Sequence, residues 1–471
     1  MLVVIKLLLL MIVLFMALLV LTVEQSILLL PVFLAFLSFS VFYFSLKTKN
    51  GGVPLFDVGF FHVGIIIVAT TLPILGYILL GMQFGIESGF RLYKLNPDPT
   101  EVGWVMWQCN LYLWSFMAAY YFFRKKKNII NSNQYDNSTT PQLDVLIGIY
   151  VLIFAFIFTI SIKYGLYSGS YADTYLNVYR IPLFLRQLTA HFSSMLVNVL
   201  LLLLVYFFTN YRKYKWWIIF VIIFQMTYTL YQLGSRTEGV LVLLTAIFMY
   251  HYFVKNLPMN KILTASFLLL FMILAFGTIR AAYTSNSTAE FGAQQLSSSN
   301  EFMVLFGTAV EVNLARKNRS MPYVPPSLHI SEFMALIPQQ LVPFKKETYA
   351  DWYLENFHPE TKEAGGAYAF GVIAQSTLGV GWLELVFRGL LFGMLMGLFH
   401  SWCYKRQRNY WVIALYLWVL LHSYYSFRVS TFNMLPQFLF QALFVFIVIT
   451  MANAFAHKAK KLMVASRSDV F

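Results

Sequence analysis

Apolar runs as long as a membrane-crossing helix recur along the whole chain, and this feature limits the possible folds more than any other. A helix rises about 1.5 Å per residue, so roughly 20 apolar residues are needed to cross the hydrocarbon layer. The first run is too long for a signal peptide and no small-residue cleavage site follows it, so it is predicted to be a retained helix. Twelve membrane-spanning helices are predicted, at residues 2–23, 27–46, 57–82, 104–123, 145–163, 188–209, 216–233, 239–254, 262–279, 381–402, 410–427 and 435–456.

The composition agrees with this prediction and excludes other classes of protein. Of the 471 residues, 59% are hydrophobic and only 11% are charged, whereas a soluble protein is about 25% charged. An ordinary soluble enzyme, a disordered protein and a nucleic-acid-binding domain are therefore excluded. Cys109 and Cys403 do not have the spacing of a disulfide framework or a thiolate metal site. The sequence predicts an all-α polytopic membrane protein.

The basic residues give these helices an orientation. When the twelve helices are counted along the chain, one side of the membrane carries 19 of the 34 basic residues and 4 of the 20 acidic ones. Cytoplasmic loops are the ones enriched in Lys and Arg, so this side is predicted to be the cytoplasm, with both termini there. The net charge of +14 therefore indicates topology and not a nucleic-acid partner. The basic clusters are Lys47 and Lys49; Arg124 to Lys127; Arg212, Lys213 and Lys215; Lys255 and Lys261; Lys405, Arg406 and Arg408; and Lys458, Lys460, Lys461 and Arg467.

The outer side carries the long loops, and the longest of them divides the chain into three parts. Residues 1–279 hold the first nine predicted helices, with outer loops at 83–103 and 164–187. Residues 280–380 form one long outer loop, and residues 381–471 hold the last three helices and a basic tail. A loop of this length in a compact membrane protein is usually functional.

The long outer loop contains two predicted helices and an aromatic cluster. Residues 301–318 have apolar positions every three to four residues, which predicts an amphipathic helix lying on the membrane surface. A second short helix is predicted at 328–336, capped by Ser327. The aromatic residues after it fit two functions, an interfacial belt or a platform that stacks on sugar rings. They are Tyr349, Trp352 and Tyr353.

Arginines on the outer side oppose the topology signal, which makes them the most informative polar residues. The planar fork of arginine binds phosphate oxygens through two hydrogen bonds, so several outer arginines predict a pyrophosphate clamp. The alternative is snorkelling to lipid headgroups, or pairing with acidic residues, such as Glu311 with Arg316. Arg388 follows Glu384 by four residues, and this pair is predicted to be structural. The clamp candidates are Arg180, Arg236, Arg280, Arg316, Arg319 and Arg428.

Sequence motifs for metal and nucleotide binding are absent. The outer side has no HExxH motif and no paired carboxylate–histidine motif, so a catalytic metal is not expected. GxGxxG and P-loop patterns are also missing, which argues against direct use of a nucleotide. No cofactor is predicted.

The arrangement of helices and several short motifs resemble the Wzy-type O-antigen polymerases, which join oligosaccharide repeat units. The first motif is GSRTEG, which contains Arg236. The others lie within residues 325–393 and read PPSLHISEFMALIPQQLVPFKK and GGAYAFGVIAQSTLGVGWLELVFRGLLFG. Arg236 and Arg280 match the helix-end arginines that this family is expected to place on donor and acceptor phosphates. At Gln375 the chain departs from the family, which often has an acidic residue there.

The resemblance implies a glycosyltransferase of the GT-C type in the bacterial inner membrane. It would join undecaprenyl-pyrophosphate-linked repeat units on the periplasmic face, without a metal or a nucleotide sugar. The partners implied are these lipid-linked glycans and the lipid bilayer, together with a chain-length regulator and a flippase. No nucleic acid is implied.

Such a transfer benefits from a base near the acceptor hydroxyl, whose pKa lies far above 7. His329 and Asp351 lie in the part of the loop expected to fold over the sugars, and neither has an ion-pair partner nearby in sequence. Glu238 is the third candidate, although its position two residues after Arg236 also suits a role in orienting that arginine.

Two other functions are compatible with parts of the pattern. An O-antigen ligase also has a large outer loop and phosphate-binding arginines, but His329 in PSLHIS is a poor match to the histidine motif of ligases. A flippase or polysaccharide transporter should show internal repeats and charged residues within its helices. The helices of this chain are almost free of charge, which favours an enzyme at the membrane surface.

Overall fold

The computed structural model describes most of the chain, with gaps. The described residues are 23–46, 57–80, 84–88, 91–95, 98–124, 143–166, 180–233, 236–255, 301–334, 347–363, 368–406, 409–429 and 438–448, together with 177, 257, 261, 264, 337, 342–344, 432, 434–435, 450–451 and 454.

Within these ranges the regular secondary structure is helical apart from one antiparallel hairpin. Its strands, β1 (Phe84–Ser88) and β2 (Arg91–Leu95), lie in the outer loop predicted at 83–103, and the described part of the fold is otherwise all-helical, as predicted. The helices are α1 (Val23–Leu46), α2 (Val58–Leu80), α3 (Pro99–Phe123), α4 (Leu143–Lys163), α5 (Leu183–Thr209), α6 (Tyr211–Leu233), α7 (Arg236–Met249, extended by a π turn at Tyr250–Val254), α8 (Glu301–Lys317), α9 (Pro326–Phe333), α10 (Tyr349–Phe357), α11 (Pro359–Glu363), α12 (Val372–Leu378), α13 (Trp382–Lys405), α14 (Tyr410–His422), α15 (Tyr425–Arg428) and α16 (Phe438–Val448).

Helix boundaries follow the apolar runs and their caps. α3 begins at Pro99 because the Asp98 carboxylate accepts a hydrogen bond from the Thr100 amide at 3.0 Å. Several boundaries differ from the prediction. α3, α5 and α6 each begin five residues earlier than predicted, and α9 spans Pro326–Phe333 with Pro325 instead of Ser327 at the cap position. α7 begins at Arg236, so GSRTEG is partly helical, and the helix predicted at 410–427 is divided into α14 and α15.

By length and hydropathy, four described helices are able to cross a membrane. They contain the segments Ile27–Leu46, Val58–Leu75, Leu143–Lys163 and Trp382–Lys405. Shorter apolar helices occur at Met195–Thr209, Val242–Val254 and Phe438–Val448. All seven coincide with predicted spans. The predicted spans at 2–23 and 262–279 lie outside the described residues, so the number twelve stays a prediction.

The chain folds as two compact units, each built from segments that are distant in sequence. In the first, α1 lies against α3, and α8 contacts α2, α3 and α12. In the second, α4 lies against α5 and α6 against α7, and the Asn198 amide donates a buried hydrogen bond to Gln441. The first unit comprises Met1–Asn128, Gly277–Trp402 and His422–Pro436, and the second comprises Ile129–Phe276, Cys403–Leu421 and Gln437–Phe471.

Helix α8 forms where it was predicted, but it does not lie on a surface. Every residue from 305 to 313 is buried, on all sides of the helix. Its polar residues are accommodated by partners inside the unit. Asn313 and Gln108 exchange hydrogen bonds at 3.1 and 3.3 Å, and the predicted pairing of Glu311 with Arg316 is replaced by contacts of Glu311 with Tyr353 and His358. The apolar periodicity therefore identified the helix but not its environment.

Three glycines at every fourth position allow α13 to approach α3 closely. A side chain at Gly389 would meet Ser115, one at Gly393 would overlap the Phe116 carbonyl, and one at Gly397 would lie 3.0 Å from the Tyr120 carbonyl. The contact therefore requires residues without a β-carbon.

We expect Gly393→Ala to destabilise the protein by about 1–3 kcal/mol, because the added methyl group forces the two helices apart. The measurement is the temperature at which the detergent-solubilised protein loses its monodisperse elution peak. Gly148→Ala in α4 is the matched control, since a methyl group there has nothing within 4 Å. Equal melting of the two variants would contradict the prediction.

Candidate functional site

A cavity of about 220 Å³ lies in the first unit, between the start of α10, the segment before α12 and the end of α15. An engineered protein cavity of about 150 Å³ holds benzene, so this one has room for a six-membered sugar ring. Its walls combine aromatic rings with one cationic and several polar groups, as ligand sites commonly do. The lining residues are Thr348, Tyr349, Ala350, Tyr368, Ala369, Phe370, Gln375, Arg428 and Val429.

Arg428 supplies the positive charge of this cavity. It is the last residue of α15, and its guanidinium carbon lies 5.4 Å from the centre of the Tyr425 ring. Contact with an aromatic face restricts the orientation of the guanidinium plane, in which all of its N–H groups lie. A guanidinium held in this way at a cavity wall suits an anionic group such as a phosphate.

Gln375 ties two walls of the cavity together. Its side-chain amide donates to the Phe370 carbonyl at 3.0 Å and also to the Val429 carbonyl. A carboxylate has no N–H to donate, so an acidic residue at this position would leave both carbonyls without this donor. The structure thus gives a physical reason for the amide at a position where an acid was expected.

Tyr349 joins the cavity to His329. The Tyr349 ring stacks on Phe370, with the centroids 6.2 Å apart, and its hydroxyl shares a 2.7 Å hydrogen bond with Nδ1 of His329. Burial raises the pKa of the Tyr349 phenol, the Glu332 carboxylate raises it further, and the Arg388 guanidinium acts in the opposite direction. The phenol therefore stays protonated at neutral pH and can both donate and accept a hydrogen bond.

Beside Tyr349 lies a buried ion-pair cluster that the sequence revealed only in part. Arg388 donates to Glu384 at 2.8 Å, as the four-residue spacing predicts. It also forms a two-pronged pair with Glu332, at 2.8 and 2.7 Å. Sequence inspection missed Glu332. The sequence signal that could have found it is its spacing, since an acidic residue three positions after His329 lies on the same face of a helix.

The other two aromatic candidates lie inside the fold. Trp352 is buried, and its indole N–H donates to the Tyr323 carbonyl at 3.3 Å. Tyr353 is 0% exposed and shares hydrogen bonds with Glu311 and His358, the latter at 3.0 Å. Of the three predicted sugar contacts, only Tyr349 lines the cavity.

The six arginine candidates are not brought together within the described part of the chain. Arg316 donates to the Thr377 carbonyl, and Arg319 is an exposed residue with φ = 56°. Arg180 is exposed and precedes α5. Arg236 begins α7, but its side chain lies outside the described part, as does the whole of Arg280.

Two of the three acid–base candidates are hydrogen-bonded to residues that line the cavity, His329 to Tyr349 and Asp351 to Thr348. Asp351 is exposed and belongs to the cap of α10, since its amide donates to the Thr348 hydroxyl at 3.1 Å and its carboxylate accepts from that hydroxyl at 2.7 Å. The side chain of Glu238 lies outside the described part. Across the described residues, no three His, Cys, Asp or Glu side chains are grouped so as to hold a metal ion.

Comparison with known proteins assigns the chain to a family. A sequence model described as O-antigen polysaccharide polymerase Wzy matches residues 2–460, nearly the whole chain. The chain belongs to that family. No curated protein and no solved structure matches it significantly. The membership confirms the family predicted from the sequence motifs, and with it a membrane protein of O-antigen biosynthesis that acts on lipid-linked oligosaccharide repeat units.

Proposed function

We propose that this protein polymerises undecaprenyl-pyrophosphate-linked repeat units on the periplasmic face of the bacterial inner membrane, without a metal or a nucleotide sugar. The observation that carries the proposal is the cavity, which places the Arg428 guanidinium beside aromatic walls in a member of the polymerase family. The cationic group suits the diphosphate of a lipid-linked unit and the aromatic rings suit its first sugar.

The reaction is a displacement at the anomeric carbon of the donor sugar. The acceptor hydroxyl forms the new C–O bond, the bond to the diphosphate breaks, and undecaprenyl pyrophosphate leaves. Arg428 stabilises the charge that develops on the leaving oxygen. We assign Arg236, Arg280, Arg316, Arg319 and Arg180 to further contacts with the phosphates of donor and acceptor.

His329 is the group that we propose to take the proton of the acceptor hydroxyl. Its Nδ1 is engaged by the Tyr349 hydroxyl, so Nε2 is the nitrogen that remains for the acceptor. Asp351 and Glu238 are the alternative bases. The Tyr349 ring, stacked on Phe370, holds the first sugar, and the buried Tyr353 ring supports Phe370 from 5.1 Å away.

The proposal is tested with purified protein in liposomes that contain lipid-linked repeat units. We expect a ladder of products that differ by one repeat unit. Transfer of units only to added lipid A core, with no ladder, would identify a ligase. Movement of units across the bilayer without any new glycosidic bond would identify a flippase. Either result would refute the proposal.

In cells, deletion of the gene should leave single repeat units attached to lipid A core. Loss of all O-antigen would instead indicate a ligase or a flippase. We also propose that a chain-length regulator and a flippase act with this protein, which purification of the solubilised complex from its native membrane tests directly.

A further inference from the structure

The pair formed by Arg388 and Glu332 is buried almost completely. Each side chain is 2% exposed, and the two guanidinium–carboxylate contacts measure 2.8 and 2.7 Å. The Phe432 ring covers the guanidinium, with its centre 5.0 Å from the central carbon. A buried ion pair gives little net stability compared with apolar residues of similar volume. The role of this pair is therefore to fix the relative position of its two side chains.

The pair joins a long apolar helix, α13, to a short helix of the outer loop, α9. Arg388 lies in α13, one of the helices able to cross a membrane, and Glu332 lies in α9, a short helix of the long loop. α9 has eight residues and no side-chain cap at its start, where Pro325 occupies the cap position. A helix of this length is not stable alone, so its position depends on its tertiary contacts.

α9 carries His329 on the same side as Glu332, three residues earlier. His329 in turn holds the Tyr349 hydroxyl at 2.7 Å, and Tyr349 forms a wall of the cavity. A continuous series of direct contacts therefore runs from the membrane helix to the cavity. A movement of α9 relative to α13 displaces His329 and breaks its hydrogen bond to the Tyr349 hydroxyl.

We propose that Arg388 is a positioning residue, whose two-pronged pair with Glu332 fixes α9 so that His329 and Tyr349 are held at the cavity. This inference rests on the proposed polymerisation reaction. Misplacement of a reacting group by about 1 Å can lower a rate up to 100-fold. Because Arg428 still binds the diphosphate, loss of the pair lowers kcat about tenfold and changes KM for the lipid-linked unit less than about twofold.

The test uses the double variant Arg388→Met/Glu332→Leu. Removing one partner alone strands a buried charge, whereas replacing a buried pair with apolar residues of similar volume is often neutral for stability. Glu384 loses its guanidinium partner in this variant, but its side chain is 17% exposed and its carboxylate still accepts a hydrogen bond from the Val380 amide at 3.1 Å. The matched control is Lys362→Ala/Glu355→Ala, which removes an exposed pair of the same loop, with side chains 39% and 57% exposed.

Two measurements are made on both variants. Hydrogen–deuterium exchange at residues 326–333 should become faster in the Arg388/Glu332 variant only. Its kcat should fall about tenfold, and combining it with Tyr349→Phe should give less than the product of the separate effects, because both changes act through one contact series. Unchanged exchange, unchanged kcat or fully multiplicative effects would each overturn the inference. Absence of any ladder from the wild-type protein would refute the proposed function, and the exchange rates would still test the pair.

Discussion

Replacing Arg428 by lysine is expected to slow polymerisation roughly 100-fold, nearly as much as replacing it by alanine. Lysine keeps the positive charge but loses the planar fork that binds two phosphate oxygens, and it loses the stacking on Tyr425 that restricts the guanidinium. A single positive charge on a flexible stem does not hold the diphosphate in the same place. The measurement is the initial rate of ladder formation in liposomes, at matched protein levels.

The control for this prediction is Arg406→Lys, an exposed residue just after the C-terminal end of α13. It should leave the rate unchanged. If Arg428→Lys polymerises at the wild-type rate while Arg428→Ala does not, the cavity needs only a positive charge and the assigned phosphate contact is wrong. If both variants are fully active, the cavity is not the diphosphate site.

The sequence allowed most of the long helices of the described residues to be predicted within a few residues, because long apolar runs and local caps determine where they begin and end. The short helices α10, α11 and α12 were not predicted. The surroundings of a helix were predicted less well than its ends. α8 was predicted to lie on the membrane, since its apolar spacing is that of an amphipathic helix. In the structure its polar residues Glu311 and Asn313 find buried partners on α3, on α10 and just after it. A polar residue with a distant partner looks the same in the sequence as one that faces water.

The candidate site shows the same limit. Arg428, Tyr349 and His329 were all predicted as site residues, and the structure brings them to one cavity or next to it. Their relation could not be predicted, because His329 meets Tyr349 across 20 residues and Arg388 meets Glu332 across 56. Only the four-residue pair of Arg388 with Glu384 was visible, since helical geometry alone determines it.

A second buried ion pair, remote in sequence from the cavity residues, connects the start of α2 to the end of α3. The Arg124 Nε lies 2.7 Å from the Asp57 carboxylate, and both side chains are buried. The same carboxylate accepts hydrogen bonds from the Tyr120 hydroxyl at 2.6 Å and from the Gly59 and Phe60 amides at 3.1 Å. Asp57 therefore caps α2 and holds it against α3 at the same time.

Arg124→Ala is expected to destabilise the protein by about 3–5 kcal/mol, because it leaves the Asp57 carboxylate buried without its counter-charge. At this magnitude most of the protein should be lost from the membrane fraction, and the remainder should melt well below the wild type in detergent.

The discriminating control is the double variant Asp57→Asn/Arg124→Met. Asparagine keeps an oxygen for the Gly59 and Phe60 amides and methionine fills the space of the arginine stem, while no charge remains buried. The double variant should therefore melt closer to the wild type than Arg124→Ala does. If it is instead the less stable of the two, the charge on Asp57 itself holds α2 and α3 together, and the cost of Arg124→Ala does not come from a stranded carboxylate.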